Sequence, residues 1–286
     1  MSFINSIKKD GGNIILYKCG QPVPELLVAS GDSYKICFLD TETTGVDRSN
    51  DEIIELALKV VIIEGSTGKI VSVDAEYTSF NDPHIPLSDE IIKLTGITDD
   101  MVNGHSIDWS EADRIIENGD LIVAHNASFD RAFMDRKSAA SRQSIWACTV
   151  QDIDWLQRDF TSSKQDLLCF WHGFYFDAHR AMNDVDALIH LVTHHHYTEN
   201  RPVCELIGNS QKPSYVIKAT NFAYDETKKD QVKANGYRWN NVQKIWSKRV
   251  TLDVLEDEKE WLTGIIYDGY FDGLVEEINL ADKYKM

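Results

Sequence analysis

Alternating apolar and polar positions predict a sheet in the first third of the chain. Lys35–Leu39 is a short apolar run rich in β-favouring side chains, and the longer segments Glu52–Ile63 and Lys69–Phe80 follow it. Gly65 and Gly68 bound a short stretch between the two longer segments that is typical of a hairpin turn. Three successive strands predict an antiparallel meander.

Helical spacing alternates with short strands farther along the chain. A capped helix is predicted after Ser88, and the remaining predicted helices are Ser110–Asn118, Ser128–Lys137, Gln165–His172 and Asn183–His196. Leu121–Ala124 and Ile145–Val150 are predicted strands between them. A strand meander followed by alternating helices and strands predicts an α/β fold with a mixed sheet.

The pattern changes after Tyr197, where Gly and Pro residues become frequent. We predict an N-terminal extension (1–33), a main domain (34–200), a linker (201–213) and a small α+β C-terminal module (214–286). Within the module the predicted elements are the strands Tyr215–Ala219, Tyr237–Trp239 and Lys244–Arg249 and the helices Thr227–Asn235 and Asp253–Gly264.

Composition narrows the possible functions. The net charge of −17 counts against a general nucleic-acid binder, but not against an enzyme that holds nucleic acid through metal ions and a local basic patch. The five cysteines are scattered and form no Cys-x-x-Cys pair, which argues against a disulfide framework or a zinc ribbon. No apolar run approaches the ~18 residues that would span a bilayer. We therefore expect a cytoplasmic protein.

Four acidic residues and one histidine are the candidate chemical groups. Asp40 and Glu42 have a spacing that puts both side chains on one face of a strand. Asp130, His179 and Asp184 lie at predicted strand ends or helix starts. If these ends converge, clustered carboxylates require about two divalent cations such as Mg²⁺ or Mn²⁺. Two such ions suit displacement at phosphorus, with the histidine accepting a proton from the attacking water.

These residues lie in three ordered motifs that resemble the DnaQ-like (DEDDh) 3′–5′ exonucleases. The motifs are Asp-Thr-Glu-Thr-Thr-Gly, Ala-His-Asn-Ala-Ser-Phe-Asp and His-x4-Asp, and the segment from Leu94 to Val102 is similar to the family's Gly-Ile-Thr segment. The sequences of these motifs most resemble those of the proofreading subunit of bacterial replicative polymerase. The resemblance covers about residues 34–197 and implies an RNase H-like exonuclease fold, with a mixed five-stranded sheet flanked by helices.

The resemblance also implies a role for each site residue. Asp40, Glu42 and Asp184 would hold the ion that carries the attacking water, and Asp40 with Asp130 would hold a second ion. His179 would be the general base. The implied substrate-binding residues are Thr43 at the 3′-end, Val46 as an apolar wedge, and Gly96, Ile97, Asn126 and Phe129 around the terminal-nucleotide pocket. Thr95 replaces a histidine that many members carry, and Val46 is a small wedge.

The resulting expectation is a metal-dependent 3′–5′ exonuclease that releases nucleoside monophosphates from single-stranded or frayed DNA 3′-ends. An exoribonuclease is the alternative within the enzyme class, because the sequence does not expose the contacts with the sugar 2′-position that distinguish RNA from DNA. A non-catalytic nuclease-fold adaptor that docks partners through the C-terminal module is the alternative from a different class. A polymerase or repair partner is possible but not identifiable.

Two further features have competing interpretations. The stretch Lys212–Val250 carries nine basic residues against three acidic ones, interleaved with aromatics that include Phe222, Tyr224, Trp239 and Trp246. It is either a nucleic-acid-binding surface or a small core surrounded by solvated lysines. We interpret His194, His195 and His196 as a helix end rather than a metal cluster, because successive helical side chains point in different directions.

Overall fold

The chain divides into two compact units. A computed structural model describes residues 9–221 and 225–285. The first unit extends to Ser210 and includes Tyr284, and the second unit is Gln211–Lys283. Phe222 and Tyr224, which we expected in the basic and aromatic stretch, lie outside the described residues.

The first unit contains nine strands and eight helices among the described residues. Its strands are β1 (Lys9–Asp10), β2 (Asn13–Ile14), β3 (Tyr17–Lys18), β4 (Ser33–Thr43), β5 (Ile53–Glu64), β6 (Ile70–Phe80), β7 (Leu121–Ala124), β8 (Trp146–Cys148) and β9 (Phe174–Tyr175). Its helices are α1 (Asp89–Thr95), α2 (Asp99–Val102), α3 (Trp109–Glu117), α4 (Ser128–Lys137), α5 (Ala139–Gln143), α6 (Gln165–Trp171), α7 (Ala181–Val192) and α8 (Pro202–Ser210).

A mixed five-stranded sheet organises this unit. The strand order is β6-β5-β4-β7-β8, with β4, β5 and β6 antiparallel and β4, β7 and β8 parallel. The meander arises because short turns join the first three strands, whereas helices lead to the parallel strands. The predicted α/β, RNase H-like fold is confirmed.

The central strand β4 is buried on both faces. Ile36 and Phe38 belong to one core cluster, which includes apolar side chains of α7, and Cys37 and Leu39 belong to a second, which includes side chains of α3 and α4. Because strand side chains alternate between faces, α7 covers one face of the sheet and α3 and α4 cover the other. The end of β4 is thus enclosed by helices from both sides.

Part of the segment predicted as a linker is a helix. Residues 202–210 form α8, whose Val203 and Leu206 are fully buried in the first core cluster. The glycine and proline residues of this segment therefore lie near the two ends of a packed helix. The boundary between the two units follows Ser210. In the N-terminal segment, β3 pairs in parallel with β9 and β1 pairs with β2.

The second unit is a four-stranded antiparallel sheet with two helices. Its elements are β10 (Ser214–Ala219), α9 (Glu226–Ala234), β11 (Arg238–Asn240), β12 (Ile245–Thr251), α10 (Leu252–Ile265) and β13 (Leu274–Ile278), followed by a 3₁₀ turn at Leu280–Asp282. The strand order is β11-β12-β10-β13. Strand β13 was not predicted, because its exposed and half-buried residues give no clear alternation. Across both described ranges, the structure contains no helix whose length and apolarity would let it cross a membrane.

A buried ion pair joins the sheet to α7. The Lys59 side chain on β5 is 1% exposed and donates to Asp186 on α7, and Glu76 on β6 lies 3.0 Å from the same ammonium group. Burial raises the pKa of Asp186, and the bond from Lys59 opposes that effect. A buried charge that loses its partner is costly, so the two residues depend on each other.

We expect Lys59→Met to lower the free energy of unfolding by about 3 kcal/mol, because Asp186 then remains buried without its cation. The double variant Lys59→Met/Asp186→Leu should recover most of this loss. The measurement is urea unfolding followed by circular dichroism. Lys35→Met is the matched control, since both side chains of its ion pair with Asp74 are more than a third exposed and the pair should contribute below about 1 kcal/mol. Equal losses in both single variants would contradict the prediction.

Candidate active site

Asp40 and Glu42 lie near the end of β4, on the face that α7 covers. One carboxylate oxygen from each, together with one from Asp184, lies within 4.8 Å of the others. Asp184 is in the first turn of α7, where its Oδ2 accepts a hydrogen bond from the backbone N–H of Arg180 at 3.2 Å. Three of the four predicted carboxylates are therefore brought together as a compact group.

Asp130 approaches from the helix on the opposite face. It lies in α4, is 2% exposed, and its Oδ1 accepts two hydrogen bonds from Thr41, from the backbone N–H at 3.1 Å and from Oγ1 at 2.8 Å. It does not belong to the described group of oxygens that lie within 4.8 Å of one another. Its charge nevertheless raises the pKa of Asp40 and of Glu42. The Thr41 contact was not predicted from the sequence.

The four acids hold their protons more tightly than ordinary carboxyl groups do. Burial, followed by the charges of Asp184, Asp130, Glu42 and Glu55, raises the pKa of Asp40 well above its usual range. Burial is also the largest cause for Glu42, whose pKa rises to about 8, and for Asp130 and Asp184, whose pKa values rise to about 7. Carboxylates that repel each other in this way favour a bound cation.

A fifth acidic residue, which is also buried, lies beside these four. Glu55 on β5 is 3% exposed and lies directly opposite Glu42 in the β4–β5 register, so the two side chains share a face. Its carboxylate accepts hydrogen bonds from Arg180 Nε at 3.2 Å, from Arg180 Nη2 at 3.0 Å and from the Ala181 backbone N–H at 3.0 Å. The Glu55–Arg180 ion pair thus attaches the first turn of α7 to the sheet. Neither residue was predicted as part of the site.

His179 is exposed and lies two residues before α7. Its φ of 65° is in the left-handed region, which is uncommon for a residue with a Cβ. The backbone N–H groups of His179 and Arg180 both oppose the rise in the pKa of Asp184. The backbone around His179 is therefore tied to the acidic cluster, while the imidazole faces solvent.

The turn after β4 presents one apolar side chain to solvent. Val46 is 83% exposed, while Thr43 is buried and donates from Oγ1 to the Gly45 carbonyl at 2.6 Å. Asp51 supports the turn by accepting from Thr44 Oγ1 at 2.9 Å and from the Asp47 backbone N–H at 2.8 Å. A Cβ on Gly45 would lie 2.4 Å from the Asp51 carboxylate, so a larger residue here would displace the side chain that supports the turn.

The other predicted pocket residues differ in exposure. Gly96 ends α1 with a φ of 69°, and Ile97 is fully buried, so that its side chain could shape a pocket only from beneath. Asn126 is exposed with a φ of 63°, and Phe129 contacts Phe133 at a ring distance of 5.1 Å. Thr95 is buried and accepts from the Ile97 backbone N–H at 3.0 Å, so it stabilises the turn.

Asp40, Glu42 and Asp184 are the residues that could hold a divalent cation. Carboxylate oxygens are the ligands that Mg²⁺ and Mn²⁺ prefer, and the three oxygens are close enough to share one ion. Arg180, the cation that lowers the pKa of Glu42, is already paired with Glu55. The charge of the cluster therefore fits metal binding.

The three successive histidines are close together, although we expected helical side chains that point in different directions. Helix α7 ends at Val192, so His194, His195 and His196 follow the helix, and ring nitrogens from all three lie within 4.8 Å of one another. His194 is 1% exposed, its Nδ1 accepts from the His196 backbone N–H at 3.3 Å, and its Nε2 lies 3.0 Å from Tyr17 Oη. Both nitrogens of His194 have protein partners, which favours a structural role.

The fold and the carboxylate cluster together define a nuclease domain of the RNase H-like class. The sequence model of the exonuclease family RNase_T matches residues 37–192, which is more than half of the chain. The chain belongs to this family, the DnaQ-like 3′–5′ exonucleases, and the resemblance drawn from its motifs is confirmed.

Several bacterial polymerases contain a similar segment. The DNA polymerase III PolC-type protein of Staphylococcus aureus is 33% identical over 198 residues, which are 64% of this chain and 12% of that protein. The corresponding protein of Halalkalibacterium halodurans is 40% identical over 110 residues, which are 36% of this chain and 7% of that protein. The chain thus spans about a tenth of the length of these relatives.

Solved exonuclease structures have weaker similarity. Exonuclease X in complex with 5′ overhanging duplex DNA has a TM-score of 0.42 and 21% identity, covering 59% of this chain and 99% of that chain. A full-length 3′-exonuclease has a TM-score of 0.48 and 18% identity, covering 63% of this chain and 64% of that chain.

The raised pKa values predict how stability depends on pH in metal-free protein. Carboxyl groups with pKa values of about 7 and 8 when folded, against about 4 when unfolded, contribute stability that is complete below pH 4. That contribution is lost as the pH rises through the folded values. In EDTA, Asp40→Asn should therefore raise the melting temperature by several degrees at pH 8 and by little at pH 5. The conversion is about 3 °C in melting temperature for each kcal/mol of stability.

The measurement is differential scanning fluorimetry of parent and variant at both pH values. Saturating Mg²⁺ at pH 8 should stabilise the parent more than the variant. Asp257→Asn, on the exposed face of α10, is the matched control and should change neither profile. An equal difference between Asp40→Asn and the parent at pH 5 and pH 8 would contradict the prediction.

Proposed function

We propose that this protein is a metal-dependent 3′–5′ exonuclease that releases nucleoside monophosphates from single-stranded or frayed DNA 3′-ends. The observation that carries the proposal is the compact group formed by Asp40, Glu42 and Asp184, in a chain of the exonuclease family. DNA is favoured over RNA because the named relatives are DNA polymerases.

The proposed cofactors are two divalent cations, Mg²⁺ or Mn²⁺. When bound, they would neutralise charge on the phosphoryl oxygens and lower the pKa of a bound water. Asp40, Glu42 and Asp184 are the proposed ligands of one ion, and Asp40 with Asp130 those of the other. Thr41 holds Asp130 through Oδ1, which would orient this carboxylate towards the second ion and its water.

His179 is the proposed general base. It would accept a proton from the water that attacks the terminal phosphodiester, because a neutral imidazole has a ring nitrogen that can take up a proton. Its exposed side chain and positive φ support a position from which the imidazole turns towards the phosphate only when a strand is bound.

The Glu55–Arg180 ion pair is proposed to position this machinery. It attaches the start of α7 to β5, and that turn carries Asp184 four residues after Arg180 while His179 comes directly before it. Arg180 also compensates the charge of Glu55, which otherwise adds to the repulsion at Asp40 and Glu42.

The proposed substrate contacts surround the end of β4. Val46, which is exposed and apolar, would pack against the terminal base, and Thr43 would contact the 3′-end. Asn126 and Phe129 would line the nucleotide pocket, with Gly96 and Ile97 shaping it from the α1 end. The partner is therefore a nucleic acid with a free 3′-end.

The test is shortening of a 5′-labelled 20-nucleotide strand, supplied as DNA or as RNA of the same sequence, with Mg²⁺ or Mn²⁺. We expect a ladder that shortens from the 3′-end of the DNA, no product in EDTA and none with Asp40→Asn. His179→Ala should lower kcat by about 100-fold or more while leaving Mn²⁺ affinity unchanged, because it removes a proton acceptor and no ligand. Asp257→Asn should match the parent.

Three results would change the proposal. Shortening of RNA alone would assign the exoribonuclease alternative. Full activity in EDTA would exclude the metal mechanism, and no shortening of either strand by folded protein would favour the adaptor alternative.

We expect Glu55→Gln to lower kcat by about 10- to 100-fold, in the range found when partners of metal ligands are removed. Arg180→Gln should have an effect of similar size, and the double variant should lose less than the sum of the two, because the residues act as a pair. The measurement is a double-mutant cycle on kcat and on Mn²⁺ affinity. Strictly additive losses would contradict a shared positioning role.

A further inference from the structure

The second unit has a groove with two tryptophans in its lining. The groove has a volume of about 730 Å³ and lies among the end of β10, helix α9 and the β11–β12 hairpin. This volume is within the range of ordinary ligand sites. Its lining includes Lys229, Trp239, Lys244 and Trp246.

Trp239 is not needed to build the core of this unit. Ile217, Val232 and Leu262 are fully buried there, and Trp246 packs against them as a half-buried side chain. Among the described residues of the unit, Trp239 is not a member of that core cluster and is 46% exposed. A solvent-exposed indole can stack on a planar ligand.

The register of the hairpin presents the two indoles together. Trp239 lies directly opposite Trp246 in the β11–β12 pairing, so both side chains are on one face. Their ring centroids are 5.5 Å apart and the planes are inclined by 56°, so they do not stack on each other. The exposed face of Trp239 is therefore available to a base.

Cations lie beside the indoles. Lys229 and Lys244 line the groove. Lys229 Nζ lies 3.4 Å from Glu226 Oε1, whereas Lys244 is exposed with a φ of 53° in the hairpin turn. Within residues 9–221 and 225–285, no carboxylate lies within 4.0 Å of Lys244 or of Arg238, which begins β11. These charges would meet the phosphates of a strand whose bases lie on the indoles.

Charge in this unit is divided between its elements. The stretch Lys212–Val250 has nine basic residues against three acidic ones, while α10 has five acidic residues and one lysine. Glu258 of α10 is attached to the basic half through Lys248 at 2.5 Å and Asn235 at 2.8 Å. Lys218, Lys228, Lys229 and Lys248 are paired with acidic residues. Lys244 has no such pair among the described residues, so it is the groove cation that favours an anionic ligand.

We infer that this groove is a second nucleic-acid site, which binds a single strand by stacking bases on Trp239 and Trp246 and by contacting phosphates through Lys244 and Lys229. Aromatic platforms beside cations are how proteins bind single strands without reading sequence. The inferred site uses no residue of the carboxylate cluster and requires no metal.

The test is binding of fluorescein-labelled 20-nucleotide thymidine or uridine strands to the full chain carrying Asp40→Asn, in EDTA, by fluorescence anisotropy. These conditions separate the groove from the carboxylate cluster, so a failure here leaves the exonuclease proposal intact. We expect Trp239→Ala to weaken binding by about 5- to 100-fold and Trp239→Phe to weaken it less. Lys244→Ala should reduce the slope of log affinity against log salt by about 0.7.

Tyr270→Ala and Lys259→Ala are the matched controls, because both residues belong to the same unit and neither lines the groove. Equal binding of the two polymers would support readout of bases and phosphates, and tighter binding of uridine strands would add a contact with the 2′-hydroxyl. Unchanged affinity and salt slope in folded Trp239→Ala and Lys244→Ala would overturn the inference. Tighter binding of duplex than of single strand would overturn it as well, because paired bases cannot stack on the indoles.

Discussion

Repulsion between carboxylates at the end of β4 is the constraint on which the site depends. Asp40, Glu42 and Asp184 place oxygens within 4.8 Å of one another. Burial raises their pKa values, because it disfavours the charged form of each carboxyl group. A fold that holds such a group without a cation loses stability as the pH rises. The surrounding contacts are best understood as the means by which the chain keeps these acids in place.

Those contacts attach one helix to each face of the sheet. Thr41 holds Asp130 of α4 on one face, and Glu55 holds Arg180 at the start of α7 on the other. Both contacts are made by residues of β4 and β5, which are adjacent strands with mostly buried side chains. The carboxylates therefore rest on rigid elements, while the exposed His179 remains on a loop.

The second unit has a small hydrophobic core of its own. Its aromatic residues divide into those that pack, such as Tyr237 at 2% exposure, and Trp239, which remains nearly half exposed. The packing interpretation of the basic stretch therefore holds for Tyr237, whereas nucleic-acid binding stays a prediction that depends on Trp239 and Lys244. Packing accounts for Tyr237 and for part of Trp246, whereas the groove with its cations accounts for Trp239 and Lys244.

The sequence by itself determined the meander, the mixed sheet and the acidic residues, because these depend on local alternation and on motifs whose spacing is short. Tertiary structure alone decided what depends on distant partners. The Glu55–Arg180 contact joins residues 125 positions apart, and the Thr41–Asp130 contact joins residues 89 apart. The helical state of residues 202–210 and the pairing of β13 with β10 were decided in the same way. Local sequence patterns indicate which side chains are buried, but only the tertiary structure determines which of them are in contact.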